Sequence, residues 1–188
     1  MGLGIRKNIN KIFIMLSIFH FSINKFLYGF ENANRLLRFI DKRAVIPILR
    51  SNGAVIGVGC DIESPLILHN CTDYKNLLIG NDCHLGKDTF LDLAAPIIIE
   101  DEVTISMRAT IITHIDVGKS PLKEHGYPIS KDKVTLKKGC YIGANALLLR
   151  GVTIGECALI AAGAVVLQDI PSYTIAAGMP AKIINKNN

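Results

Sequence analysis

Aliphatic residues recur at an interval of six along the C-terminal third of the chain, at Leu136, Ile142, Leu148, Ile154, Ile160 and Val166. An amphipathic helix repeats its apolar face at about 3.6 and a flat strand at about 2, so neither accounts for the pattern. A fixed six fits a coiled β-solenoid that turns one aliphatic inward from each short strand. The intervening positions agree. Cys140, Ala146, Thr153, Ala158 and Ala164 fall at or near the place where a tight coil has room for only a small inward side chain, and Gly, Asn and Glu occupy the corners. Three upstream runs share the step: Ile56, Ile62 and Leu68; Ile79, Leu85, Leu91 and Ile97; and Ile99, Ile105 and Ile111, the last shifted by two residues around Pro96. The runs predict a β-solenoid over 54–172. A sandwich of short strands is the bland alternative, and it requires no common period.

The pattern changes in residues 1–50. Ile9, Ile12, Phe13, Leu16, Phe19, Ile23, Phe26, Leu27 and Phe30 lie at helical spacings, and Ile14, Met15, Ile18 and Phe21 make 12–21 apolar nearly all round. The chain therefore divides into a helical arm, 1–50, and a solenoid, 51–188. The apolar stretch falls short of the ~20 residues that span a bilayer, no small-residue cleavage site follows it, and the MGLGIR start lacks the Ser/Thr of a myristoylation signal. Two compatible readings remain: a cap packed on the first coil, or a basic amphipathic helix over 5–30 lying on an anionic membrane surface, with Arg6, Lys7, Lys11 and Lys25 at the headgroups.

Charge and composition sharpen this division. Nine Lys/Arg face two acids in residues 1–50, while the remainder holds twelve against fourteen, so the whole excess of +5 belongs to the arm. No nucleic-acid partner is expected. At 188 residues the chain can bury a core as one domain, and a solenoid does so by stacking neighbours between capped ends. Aromatics are 6% with no Trp, as suits a narrow prism filled by aliphatics. The five cysteines form no C-x-x-C pair; Cys60, Cys83 and Cys140 read as small core residues, consistent with a reducing, cytoplasmic setting and, with the arm, the inner face of a membrane.

The period disappears between Ile111 and Val134, where ITHIDVGKSPLKEHGYPISKDK intervenes. A solenoid accommodates insertions as loops on one face, and such loops tend to carry function. An active-site loop is thus expected at 113–133. His114 stands where coil becomes loop, its backbone held by the prism, and a neutral imidazole there could take a proton from an attacking hydroxyl or amine near neutral pH.

ATIITHIDV, GYPI, YIGANALLLRGVTIGECALIAAGAVVLQDIP and the closing AAGMPAKII stand in the order and spacing of a known family. Over about 54–186 the chain resembles the hexapeptide-repeat acetyltransferases, particularly the maltose and galactoside O-acetyltransferases and enzymes that modify bacterial surface polysaccharides. The resemblance implies a left-handed parallel β-helix, whereas general rules for parallel crossovers favour the opposite hand. It also implies a homotrimer with sites between subunits, acetyl-CoA as donor, and no metal. Residue by residue, it makes His114 the catalytic base and Asp92 the polar residue holding the acceptor. Gly143 becomes the backbone donor to the oxyanion, Ala161, Ala162 and Gly163 the lining of the coenzyme path, and Gly178 with Lys182 its nucleotide end. One departure is Leu167-Gln168, where family members often carry Thr-Lys.

The resemblance implies transfer of an acetyl group to a saccharide hydroxyl, with N-acetylation of an amino sugar as the nearest alternative. A zinc hydrase on the same fold needs three converging His, two of them separated by four residues, and His69, His84, His114 and His125 offer no such pair. A non-catalytic scaffold would leave His114 beside the loop without a chemical reason.

Overall fold

In the computed structural model of the chain, residues 2–186 are described, with side chains over 8–184. Arg6 and Lys7, which the membrane reading places at headgroups, have side chains outside the described residues. The arm forms α1 (Gly2–Tyr28), α2 (Phe30–Asn34), a 3-10 turn (Arg35–Arg38) and α3 (Lys42–Ser51). Asp41 caps α3, its carboxylate accepting from the Arg43 N–H at 2.9 Å. Phe21, Leu37, Val45, Ile48 and Leu49 are fully buried against the first coil. Tyr74, in the corner after that coil, is buried among them, and its hydroxyl donates to Asn34 Oδ1 at 3.0 Å. The helices thus close the end of the prism that would otherwise expose its apolar interior. One side of α1 stays open: Ile12, Met15, Leu16, Phe19, Phe26 and Leu27 are each more than half exposed.

From Val55 the chain winds into a left-handed parallel β-helix with three faces. The first face stacks strands Val55–Ile56, Leu77–Ile79, Ile97–Ile99, Val134–Leu136 and Thr153–Ile154. The second begins at Asp61–Ile62 and ends at Thr174–Ala177, which pairs antiparallel with Lys182–Lys186. The third carries Leu66–His69, Thr89–Asp92, Thr110–Ile111, Leu147–Leu148 and Val165–Val166. Ile56, Ile79, Ile99, Leu136 and Ile154 stand in register on the first face, and all are buried. Every aliphatic of the six-step runs is likewise buried.

The small inward positions correct the sequence reading at one point. Cys140, Ala146, Ala158 and Ala164 are buried, but Thr153 is only partly covered and Val152 takes the inward place, keeping the step of six from 140 to 164. Thr153 lies one residue later, where the strand points its side chain outward. Cys83 and Cys140 are buried and Cys60 is half-buried. At Gly143 a Cβ would lie 2.5 Å from the Ala162 nitrogen, because the next coil passes directly over it. Only glycine fits that approach.

Between the third and fourth coils the inserted loop leaves as a hairpin, His114–Ile115 pairing antiparallel with Ser130–Lys131, with a 3-10 turn at Pro121–His125. Its base is anchored: the Asp132 N–H donates to the Thr113 carbonyl at 2.9 Å, and Arg150 Nη1 reaches Asp132 Oδ2 at 2.7 Å.

Candidate active site

The third coil delivers Thr113 and His114 to the corner between the third and first faces, the corner where the two preceding coils place Asp92 and Asn70. Asn70, Asp92 and His114 follow one another at intervals of 22 residues. One turn of the helix, lengthened by wide corners, therefore brings them into contact. Asn70 makes its corner with φ 51°, the left-handed conformation that Asn tolerates better than most residues.

Asp92 is completely buried, yet its carboxylate is saturated with donors. Oδ2 accepts from the Thr113 N–H at 2.9 Å and lies 2.5 Å from His114 Nδ1; Oδ1 accepts from Asn70 Nδ2 at 2.8 Å. The Thr113 hydroxyl donates to the Asp92 carbonyl at 2.8 Å and accepts from the Ala95 N–H at 3.0 Å, tying the corner together. Burial by itself would push the Asp92 carboxyl up. Hydrogen bonds from His114, Asn70 and Thr113 outweigh it and hold the group below its ordinary value. An ionised Asp92 keeps the proton of a neutral imidazole on Nδ1 and leaves Nε2 as the accepting nitrogen, with the Asn70 amide nitrogen 3.4 Å from both ring nitrogens. The His114 side chain is 28% exposed, so it reaches solvent from a fixed base.

The position of Asp92 corrects the role that the resemblance gave it. Its oxygens are directed at His114, Thr113 and Asn70 from beneath the surface, so it orients the imidazole rather than facing an acceptor. Asn70 and Thr113 were not singled out in the sequence. His125 lies exposed in the loop turn, away from this cluster.

The residues assigned to the donor collect on another edge. Gly143, Ala161, Ala162 and Gly163 form successive turns between the second and third faces, joined by a hydrogen bond from the Gly163 N–H to the Ala144 carbonyl at 2.8 Å. The Ala161 N–H donates to the Ala176 carbonyl at 2.9 Å, linking this edge to the terminal hairpin that holds Gly178 and Lys182. One assignment fails on geometry. The Gly143 N–H donates to the Ile160 carbonyl at 2.8 Å as part of the ladder, so it cannot serve an oxyanion. Among the described residues the neighbouring N–H groups of Ala144 and Ala162 make no hydrogen bond and remain open. No group of three or more His, Cys, Asp or Glu able to hold a metal ion occurs among the described residues.

Comparison with known proteins agrees with the coils. A model described as bacterial transferase hexapeptide (six repeats) matches 133–168, and one described as hexapeptide repeat of succinyl-transferase matches 77–111. Both matched segments lie within the coils, and each covers less than half of the chain. It is 49% identical over 59 residues to a 2,3,4,5-tetrahydropyridine-2,6-dicarboxylate N-acetyltransferase of Enterococcus faecalis, covering 31% of this chain and 25% of that protein. The match thus spans only a quarter of that relative. A hexapeptide-repeat-containing acetyltransferase from Vibrio cholerae superposes with a TM-score of 0.72 at 23% identity, over 93% of both chains. The same Vibrio protein, solved with acetyl coenzyme A, gives 0.70 at 20% identity over 93% of this chain and 87% of that one. A maltose O-acetyltransferase from Clostridium difficile gives 0.54 at 25% identity over 82% of each.

Proposed function

We propose that the protein is an acetyl-CoA-dependent O-acetyltransferase that acts on a saccharide hydroxyl, with His114 as general base and Asp92 as its positioning residue. The observation that carries this reading is the partly exposed imidazole held at Nδ1 by a buried carboxylate. His114 Nε2 takes the hydroxyl proton as the oxygen attacks the thioester carbonyl. The tetrahedral intermediate collapses with cleavage of the C–S bond, and the departing thiolate of coenzyme A takes the proton from the His114 imidazolium, restoring the base. The open N–H groups of Ala144 and Ala162 are the backbone donors suited to the developing oxyanion. No acyl-enzyme is needed, and the thiols are poor nucleophiles: burial pushes Cys83 up to about 11 and Cys140 up to about 12. Cys71, nearest the site, is raised to about 11 by burial and by Asp73, Asp92 and Glu31.

The working enzyme is a homotrimer in this reading. His114 and the donor turns stand on opposite edges of the third face of one prism, on the order of 15 Å apart from strand geometry. A neighbouring copy that brings its donor edge to His114 would unite them and exclude water. The open side of α1 completes the reading. No Asp or Glu occurs in residues 1–30, and exposed Ile12, Met15, Leu16, Phe19, Phe26 and Leu27 lie beside Lys11. This side would rest on an anionic membrane surface; no described helix is long and apolar enough to cross one.

The test is thiol release from acetyl-CoA across free sugars, nucleotide sugars and lipid-linked oligosaccharides, followed by alkaline hydroxylamine. An ester product is cleaved and an amide is not, which separates O-transfer from N-transfer. Turnover with none of the hydroxyl acceptors would overturn the reading.

A further inference from the structure

A cavity of about 730 Å³ lies between the arm and the third face of the first coil, and its lining includes Arg35, Arg38, His69, Asn70 and Cys71. Asn70, Cys71 and Thr72 also line a smaller pocket of about 330 Å³ whose wall includes His114. The larger cavity alone is within the range of small-molecule sites. Asn70 stands in the wall of both, between the cavity and the imidazole's pocket.

The cations in its wall differ from those of the following helix. Lys42 is engaged by Asp61 at 3.1 Å and Glu63 at 2.7 Å, Arg43 by Asp41 at 2.8 Å, and Arg50 by the Ile56 and Gly57 carbonyls. Arg38 makes no ion pair or hydrogen bond among the described residues. Arg35 meets only Glu31, at 4.0 Å and with both side chains largely exposed, a geometry worth little. Arg35 and Arg38, three residues apart, therefore present two available guanidinium groups to one cavity. Such groups suit the bidentate recognition of phosphate.

We infer that Arg35 and Arg38 form an anion subsite for a saccharide carrying a phosphate or diphosphate, whose sugar passes Asn70 to reach His114. This inference rests on the acyl-transfer reading for the direction of the sugar but not for the binding of the anion. The diphosphate could belong to a nucleotide sugar or to a lipid-linked one, since both present the same charge to the arginines.

The probes are inorganic pyrophosphate, uridine diphosphate and farnesyl diphosphate, titrated calorimetrically into the full chain saturated with acetyl-CoA, so that the donor's phosphate sites are already filled. Pyrophosphate binding should weaken roughly tenfold or more in Arg35→Gln/Arg38→Gln, from the loss of charge-assisted hydrogen bonds. The exposed single variant Arg38→Gln should show part of that loss, Glu31→Gln should bind more tightly, and Arg108→Gln, outside the cavity lining, should match the native chain. Tighter binding of uridine diphosphate would identify a nucleotide source, and of farnesyl diphosphate a lipid one. No pyrophosphate binding at millimolar concentration, or equal binding by native and doubly substituted chains, overturns the subsite. Failure of acetyl-CoA itself to bind would instead count against the acetyltransferase reading, and the anion titration would then be run without it.

Discussion

Asp92 holds His114 from inside the prism: its carboxylate oxygen lies 2.5 Å from His114 Nδ1 while its side chain is 1% exposed. The contact fixes both the direction of the imidazole and the nitrogen that carries its proton. Asp92→Asn presents an amide there and removes the charge that stabilises an imidazolium. Turnover should fall roughly 10²-fold or more, by analogy with the orienting carboxylate of a Ser-His-Asp triad. The KM for acetyl-CoA should stay near the native value. A proportional rise in that KM would show that the substitution disturbs the fold rather than the base.

The same carboxylate makes stability depend on pH. Its pKa is held below the ordinary value in the folded chain, so its contribution is present above the unfolded value of about 3.9 and is lost as pH falls through the folded one. The gap in unfolding free energy between native and Asp92→Asn chains should shrink as pH falls below about 4. A gap that grows below that pH contradicts the assignment.

Close stacking of coils predicts steep costs at particular positions. Ile154→Ala should destabilise by about 2–5 kcal/mol, the range for large-to-small changes in a packed core. Gly143→Ala should cost about 1–3 kcal/mol, since its Cβ meets backbone rather than a movable side chain. Denaturant midpoints equal to native for both would contradict the register.

The interior was legible from the sequence because, within each run, successive strands bury an aliphatic at a step of six. His114 was legible as the residue that stands where coil becomes loop. The residues that hold it were not. Asn70 and Asp92 reach it over intervals of 22, whereas the step of six predicts a turn of eighteen, as seen in the last coil from Leu136 to Ile154, Ile142 to Ile160 and Leu148 to Val166. The wide corners at 70–76 and 93–96 supply the difference, and corner length carries no hydrophobic signal. For Gly143 the spacing located the turn but could not tell which N–H the ladder consumes.

The arm is tested on vesicles. Sedimentation with anionic vesicles should exceed that with neutral ones and weaken with salt, at about 1 kcal/mol for each basic residue near the surface. Phe19→Ser/Phe26→Ser, both exposed, should lower recovery without changing the melting transition. Equal recovery on both vesicle types, or none, leaves α1 as a cap only.

The shared site is tested by mixing disabled chains. His114→Ala and Gly163→Trp chains, unfolded together and refolded, should regain part of the activity that neither has alone, because some interfaces pair an intact base with an intact donor edge. Gly163 suits the block because a Cβ there has open space, though its φ of +70° strains any side chain. A fully active monomer by light scattering at assay concentration would refute the trimer.

The central claim is tested most directly by comparing His114→Ala with His125→Ala in acetyl transfer to the best acceptor. Removal of a general base costs roughly 10²–10⁴-fold. His114→Ala should therefore lose turnover by that factor with acetyl-CoA affinity unchanged, while His125→Ala stays near native. Loss of turnover in His125→Ala with His114→Ala still active would contradict the account.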